Sequence, residues 1–172
     1  MTLREIMNRT VTRTLALALV AGIVVAGVSA ATAQGNATLG DKVERSLRAK
    51  DQLWRLQYKK KAGDNTRQMW AYGKDTVTAS IFEKATAEEA SKALLASASS
   101  VSRAEARKTE GVGDEAYLIT APGDTQPGRG EPAAMMFRKG SVLVFVNVRS
   151  HGSGVGVARL FAQHVAEQIT AN

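Results

Sequence analysis

The chain contains no cysteine among its 172 residues. This absence excludes disulfide bridges, thiolate metal sites and the acylated cysteine that anchors a lipoprotein. Aromatic residues make up only 5% of the chain, so alanine and valine must supply much of any core. The hydrophobic fraction of 44% is still ordinary for a globular protein, and the length favours a single domain once a targeting segment is removed.

Histidine is also scarce, since His151 and His164 are the only two. A zinc or copper site would need further ligands, which cysteine cannot supply here. His164 borders the apolar stripe of a helix, which predicts a hydrogen-bonded histidine at the helix edge. His151 lies in a glycine-rich stretch without a serine nucleophile motif or carboxylate pair near it. We therefore expect no metal, no cofactor and no enzyme; an enzyme with a cleft beside residues 121–133 and His151 as general base is the alternative.

The first 33 residues have the pattern of a signal peptide. Arg4, Arg9 and Arg13 precede a stretch, residues 14–33, that carries no charge and ends in small residues. This order predicts secretion with cleavage near Ala33, and hence a periplasmic or secreted bacterial protein whose single domain spans residues 34–172. The alternative is an uncleaved helix that anchors the protein, because a stretch of about 20 apolar residues can span a membrane.

Residues 134–148 carry the strongest structural signal. Apolar residues occupy both alternating sets of its second half: Val142, Val144, Val146 and Val148 in one set, Leu143 and Phe145 in the other. Successive side chains of a strand face opposite sides, so this strand is expected at the centre of a sheet with Phe145 buried. A turn at Gly140 joins residues 135–138 and 141–149 as a hairpin.

Shorter patterns predict the remaining elements. Thr38 and Asp41 cap a helix that runs to about residue 50, and Thr86 with Glu89 caps a second helix that ends within residues 97–100. Alternation predicts a strand within residues 52–61 with Trp54, Leu56 and Tyr58 on one side, although continued helix competes there. Further strands are predicted at residues 69–72, 76–83, 116–120 and, at an edge of the sheet, 101–109.

The C-terminal pattern is helical. Apolar residues at helical spacing predict an amphipathic helix packed on the sheet: Val157, Leu160, Phe161, Val165 and Ile169. Residues 121–133 contain all three prolines and predict a flexible loop. The order of elements predicts an α+β fold, in which a meander and the central hairpin form an antiparallel sheet with helices packed on it.

Residues 111–117, GVGDEAY, are the most motif-like stretch. A phosphate loop would need a helix after it and further glycine or Lys-Ser/Thr residues, which are missing. The acidic residues Glu110, Asp114 and Glu115 lack the alternating spacing of a calcium loop. The stretch therefore predicts a structural turn in which acidic side chains accept hydrogen bonds from backbone amides.

Together with FRKG at residues 137–140, the alternating valines and the terminal helix, this turn resembles a loose group of small exported bacterial envelope proteins of unknown function. The resemblance covers residues 68–169, including the helix capped by Thr86 and Glu89. It implies an α+β module of the cell envelope, with no catalytic residues to carry over. Many members of that group resemble lipoproteins, whose anchoring cysteine this chain lacks.

The positive charge of the mature chain is concentrated at its N-terminal end. Residues 34–61 hold eight basic and three acidic side chains, whereas residues 62–172 hold twelve of each. We expect weak association with anionic membrane or envelope polymer; no nucleic-acid partner is expected, because no aromatic-basic recognition motif accompanies the charge. The alternative is a solvated strand whose lysines protect a sheet edge from aggregation. The candidate binding residues are Arg48, Lys50, Arg55, Lys59, Lys60 and Lys61.

Overall fold

The computed structural model describes residues 37–101, 105–120 and 130–169. Within them the chain forms one seven-stranded antiparallel sheet and three helices, an α+β fold as predicted. The helices are α1 (Leu39–Lys50), α2 (Ala87–Ser99) and α3 (Gly154–Gln168). The strands are β1 (Arg55–Ala62), β2 (Asn65–Tyr72), β3 (Asp75–Glu83), β4 (Glu105–Thr109), β5 (Glu115–Thr120), β6 (Glu131–Lys139) and β7 (Val142–Ser150). The predicted signal peptide, residues 1–33, and residues 121–129 of the predicted loop lie outside the described residues.

β7 is the middle strand of the sheet, whose order is β1-β2-β3-β7-β6-β5-β4. Val144 and Val146 are fully buried on one side of β7, and Leu143 is 3% exposed on the other. The first side packs against α1 and α3 and holds the larger core, whereas α2 packs on β6 and β7 from the second side. The predicted central strand, covered on both sides, is therefore confirmed. The predicted edge strand is also confirmed over β4.

Phe145 is half-buried, so the prediction that it is buried is only partly correct. Its ring packs edge-on against Phe82, with 5.6 Å between the ring centroids. The apolar layer on this side is small, because α2 contributes only Ala90 and Leu94 as buried residues. One helix with a short apolar face leaves part of the Phe145 ring in contact with solvent.

Both predicted N-terminal caps are present. The Thr38 hydroxyl accepts a hydrogen bond from the Asp41 amide at 3.2 Å, and the Asp41 carboxylate accepts one from the Thr38 amide at 2.8 Å. At α2 the Thr86 hydroxyl accepts from the Glu89 amide at 3.1 Å. The Glu89 carboxylate, however, accepts from the amide of Ala85 at 3.3 Å, one residue before the cap.

The predicted flexible loop ends earlier than expected, because β6 begins at Glu131. Residues 131–133 therefore belong to the sheet. Proline cannot donate a ladder hydrogen bond and is tolerated in a strand only where no partner needs one. The pairing of β5 with β6 ends at Thr120 and Ala133, so Pro132 lies one residue beyond β5 and no hydrogen bond is lost on that side.

The apolar stripe predicted for α3 is correct at Phe161, Val165 and Ile169 but wrong at Leu160, which is 60% exposed. Small residues bring α3 close to the sheet: a Cβ atom added at Gly154 would lie 2.6 Å from the carbonyl oxygen of Glu131. The buried residues of α3 recur at helical spacing: 154, 158, 161, 162, 164, 165 and 166. Leu160 points away from the buried side of the helix, since each helical residue is rotated by about 100° from the last.

Candidate functional site

A β-bulge in the edge strand β1 determines which side of the sheet its residues face. Leu56 pairs with Trp70 and Tyr58 pairs with Met69, so Gln57 is one extra residue in β1. Because side chains alternate along a strand, an extra residue reverses the alternation beyond it. Leu56 faces α1 together with the buried Trp70, whereas Tyr58 faces the opposite side and is 44% exposed. The predicted strand is thus confirmed. The prediction that Tyr58 faces the same side as Leu56 is wrong, because the two residues lie on opposite sides.

We call the side of β1 and β2 that points away from α1 the open face. The register places six exposed residues on it: Arg55, Tyr58, Lys60, Ala62, Arg67 and Met69. The helix on this side of the sheet, α2, packs on β6 and β7 and leaves these side chains uncovered. Tyr58 and Met69, which are direct cross-strand partners, form a small apolar centre between the cations.

Lys60 and Arg67 are also direct cross-strand partners on the open face. Like charges directly opposite each other on a sheet repel and destabilise it. No residue of β1, β2 or β3 that faces this side is acidic. Within the described residues, Arg55, Lys60 and Arg67 have no carboxylate within salt-bridge distance. The open face therefore presents uncompensated positive charge to solvent.

Lys59 faces α1 and forms salt bridges with it. Its ammonium group forms salt bridges with Asp41 and, at 2.9 Å, with Glu44. Burial is the largest single influence on the pKa of Lys59 and lowers it, but the hydrogen bonds to the two carboxylates outweigh burial and raise the pKa above its usual value. The hydrogen bond from Lys59 is the main reason that the pKa of each carboxyl is lowered. Lys59 therefore fastens α1 to β1.

The remaining predicted binding residues also lie away from the open face. Lys61 pairs with Thr66, a buried residue on the side that faces α1. On α1, Arg48 lies 3.1 Å from Glu44, and Lys50 lies 2.6 Å from Glu167 of α3. Of the six predicted binding residues, the structure brings together on the open face only Arg55 and Lys60.

Sequence reasoning missed Arg67 as a partner of Lys60, although the sequence contains the necessary signal. Residues 62–65, AGDN, have the composition of a turn, and a tight turn there makes Ala62 pair with Asn65, as it does in the structure. Counting outward from it places Lys60 opposite Arg67 and residue 58 opposite residue 69. The bulge at Gln57 carries no such signal.

The two motifs of the sequence resemblance lie against each other. Arg138 donates to Asp114 at 3.0 Å and to Glu115 at 3.1 Å, and the Gly140 amide donates to Asp114 at 2.8 Å. The hydrogen bond from Arg138 is the main reason that the pKa of Glu115 is lowered, although burial opposes it. The structure confirms that an acidic side chain of this turn, Asp114, accepts a hydrogen bond from a backbone amide, that of Gly140 in the turn between β6 and β7. Nowhere in the described ranges do three His, Asp or Glu side chains gather as metal ligands.

Asp75 connects the two residues that an enzyme centred on His151 would use. Ser150 Oγ donates to Asp75 Oδ2 at 2.8 Å, and the His151 amide donates to Asp75 Oδ1 at 2.7 Å. His151 Nδ1 lies 3.3 Å from the same Oδ1. Burial raises the pKa of Asp75, but these hydrogen bonds outweigh it and lower the pKa. A nucleophilic serine needs a base at its hydroxyl; here Ser150 is 1% exposed and bonded to Asp75, so the cluster ties the end of β7 to β3.

His164 is buried, at 7% exposure, on the flank of α3. Its Nε2 has no hydrogen-bond partner within the described part of the chain, so the predicted hydrogen-bonded histidine is wrong at that atom. Burial, with a further contribution from the positive charge of Lys50, lowers the pKa of His164. Protonation of His164 is therefore less favourable in the folded protein than in the unfolded chain.

The fold and the open face define an α+β protein with a cationic sheet surface. Comparisons with protein-family models, with curated proteins and with solved structures found no match to this chain. None of the helices in the described part of the chain has the length and apolar character needed to cross a membrane.

Proposed function

We propose that the mature protein is an exported, non-enzymatic module of the bacterial cell envelope that associates with an anionic membrane surface through its open face. The observation that carries this proposal is the cross-strand pair of Lys60 and Arg67. Two like charges opposite each other weaken the sheet unless an anion lies over them. Export rests on the signal-peptide pattern of residues 1–33.

The composition of the open face favours a lipid surface over a polar polymer. Tyr58 and Met69 expose 44% and 37% of their surface between the cations. Tyrosine rings partition to the headgroup level of a bilayer, where an apolar body and a polar hydroxyl are both accommodated. Each Lys or Arg near an anionic membrane adds about 1 kcal/mol of attraction, so the three cations supply about 3 kcal/mol. Binding is therefore expected to be weak.

Vesicle sedimentation tests the proposal. The open-face variant carries Arg55→Gln, Lys60→Gln and Arg67→Gln, and the matched control carries Lys42→Gln, Arg45→Gln and Lys61→Gln. The control removes the same charge from exposed residues of α1 and of the helix-covered side of β1. With vesicles of phosphatidylcholine and phosphatidylglycerol, the open-face variant should lose binding and the control should keep most of it. Binding should fade by several hundred millimolar salt, because a Debye length near 10 Å at about 0.1 M shortens as salt rises.

Two results would contradict the proposal. Equal losses in the two variants would mean that net charge alone, and not the open face, attracts the vesicles. Binding to soluble polyglutamate that matches vesicle binding, and that Tyr58→Ser leaves unchanged, would identify a polyanionic polymer instead of a membrane.

A further inference from the structure

The uncovered part of the sheet extends beyond the open face to the middle strand. Cross-strand pairing joins Met69 of the open face to Thr78 of β3, and Thr78 to Asn147 of β7. All three side chains therefore point away from α1. Asn147 is exposed although β7 is the middle strand, because α2 packs over Leu143, near the start of β7. The side of the sheet that points away from α1 is thus open from β1 to β7.

Four polar side chains form a block on β3 and β7. Thr76 pairs with Arg149, and Thr78 pairs with Asn147. Neighbouring strands lie about 5 Å apart, and residues two apart along a strand lie about 7 Å apart. A single six-membered ring can therefore reach side chains from both pairs. We call these four residues the polar block; it adjoins the open face, since Thr78 also pairs with Met69.

The polar block has no partner within the described part of the chain. None of its four side chains forms a hydrogen bond or salt bridge there. No residue of β1, β2, β3 or β7 that faces this side is acidic. A threonine hydroxyl and the Asn147 amide can each donate and accept, and the Arg149 guanidinium has five donors. The block therefore combines one cation with groups that both donate and accept.

We infer that the polar block selects, among anionic lipids, one whose phosphate carries a polyhydroxylated ring. This selection rests on the proposed membrane face, because it concerns the headgroup of the lipid that the open face attracts. Arg149 can pair with the phosphate, since the guanidinium fork matches phosphate oxygens. Ring hydroxyls both donate and accept, and so they match the Thr78 hydroxyl and the Asn147 amide.

A headgroup without ring hydroxyls is the poorer ligand. It would cover Thr78 and Asn147 and displace their water without replacing the hydrogen bonds, and an unsatisfied polar group costs free energy. A site that hydrogen-bonds a hydroxyl discriminates strongly against a ligand that lacks it. Met69 and Tyr58 lie beside the block and suit the glycerol and acyl part of the same lipid.

Vesicle sedimentation of the full mature chain tests the inference. Phosphatidylcholine vesicles contain either phosphatidylinositol or phosphatidylglycerol in equal amounts, so the two surfaces have the same charge and differ in the ring. The wild type should bind the phosphatidylinositol vesicles about tenfold more tightly, as expected for one or two additional hydrogen bonds. Thr78→Val with Asn147→Ala should abolish this preference. The control, Thr120→Val with Gln52→Ala, removes the same kinds of group away from the block and should retain it, and unfolding midpoints establish that both variants are folded.

Equal binding of the wild type to the two kinds of vesicle would overturn the inference and leave the membrane face standing. Absence of binding to either would overturn the membrane face and the inference with it. A preference that survives Thr78→Val with Asn147→Ala would overturn the role of the polar block. Soluble inositol 1-phosphate distinguishes the source of the ring. It should compete little at concentrations that match the lipid, because it gains nothing from the rest of the open face; full displacement would assign the block to a free ester and overturn the lipid.

Discussion

A Cβ atom at Gly113 would lie 2.3 Å from the carbonyl oxygen of Arg138 and 2.9 Å from the ring of Phe137. The turn before β5 therefore packs directly on β6, with the Arg138 side chain bonded to the acidic residues that follow the glycine. The GVGDEAY and FRKG sequences form one structural unit. Their packing accounts for both motifs without a ligand, and the resemblance to exported envelope proteins stays a prediction.

Gly113→Ala should destabilise the protein by about 2–4 kcal/mol, because the left-handed backbone and the overlap both cost energy. Gly63→Ala is the matched control, since Gly63 has nearly the same φ, +58° against +59°, but no atom within 4 Å of its added Cβ. It should cost only about 1–2 kcal/mol. Denaturant unfolding measures both, and equal losses would mean that the contact with β6 contributes nothing.

Phe137→Ala should cost more stability than Phe145→Ala. Phe137 is fully buried in the larger core, whereas Phe145 is half-buried on the side covered by α2. Large-to-small changes cost about 3–5 kcal/mol for a buried phenylalanine, and we expect about 2 kcal/mol for the half-buried ring. Urea unfolding of the two variants checks the order. The reverse order would mean that the apolar layer between α2 and the sheet contributes more to the free energy of unfolding than the larger core does.

The salt bridges of Lys59 should make the free energy of unfolding depend on pH in the acidic range. The pKa values of Asp41 and Glu44 are lowered in the folded protein, chiefly by Lys59, so the stabilisation is present above their unfolded values and is lost as pH falls below about 4. Lys59→Gln should make the stability less dependent on pH in this range. Lys61→Gln is the control and should keep the wild-type dependence. Unfolding free energies between pH 2 and 6 (roughly the range in which carboxyls titrate) provide the measurement.

Burial of His164 should destabilise the fold in mild acid. Its folded pKa is lowered, first by burial and then by Lys50, with Glu167 opposing them. Below the unfolded value of about 6.5 the unfolded chain takes up the proton more readily, so stability falls as pH falls. His164→Gln should remove this loss between about pH 6.5 and 5, and His151→Gln should retain it. A wild-type slope in His164→Gln would assign the effect to another group.

Most elements of this fold follow from local sequence patterns. The helix caps at Thr38 and Thr86 need only residues three positions apart, and the apolar alternation through Val144 and Val146 predicts a central strand by itself. Several of the predictions that are wrong, at Tyr58 and Leu160 among them, concern which side a residue faces. Leu160 is exposed because it points away from the buried side of α3. Which side of the helix is buried depends on the sheet surface on which α3 packs.

The sequence alone does not predict which way the side chains of the basic run, Lys59, Lys60 and Lys61, face. Composition alone locates positive charge at the N-terminal end of the mature chain, because charge is a sum over residues and needs no structure. Strand alternation then separates neighbouring lysines, and the bulge at Gln57 reverses the alternation after Leu56. The turn at residues 62–65 already places Lys60 opposite Arg67. Only the tertiary structure decides that this pair lies on the open face while Lys59 binds the carboxylates of α1, since a one-residue shift in register moves every following side chain to the other side.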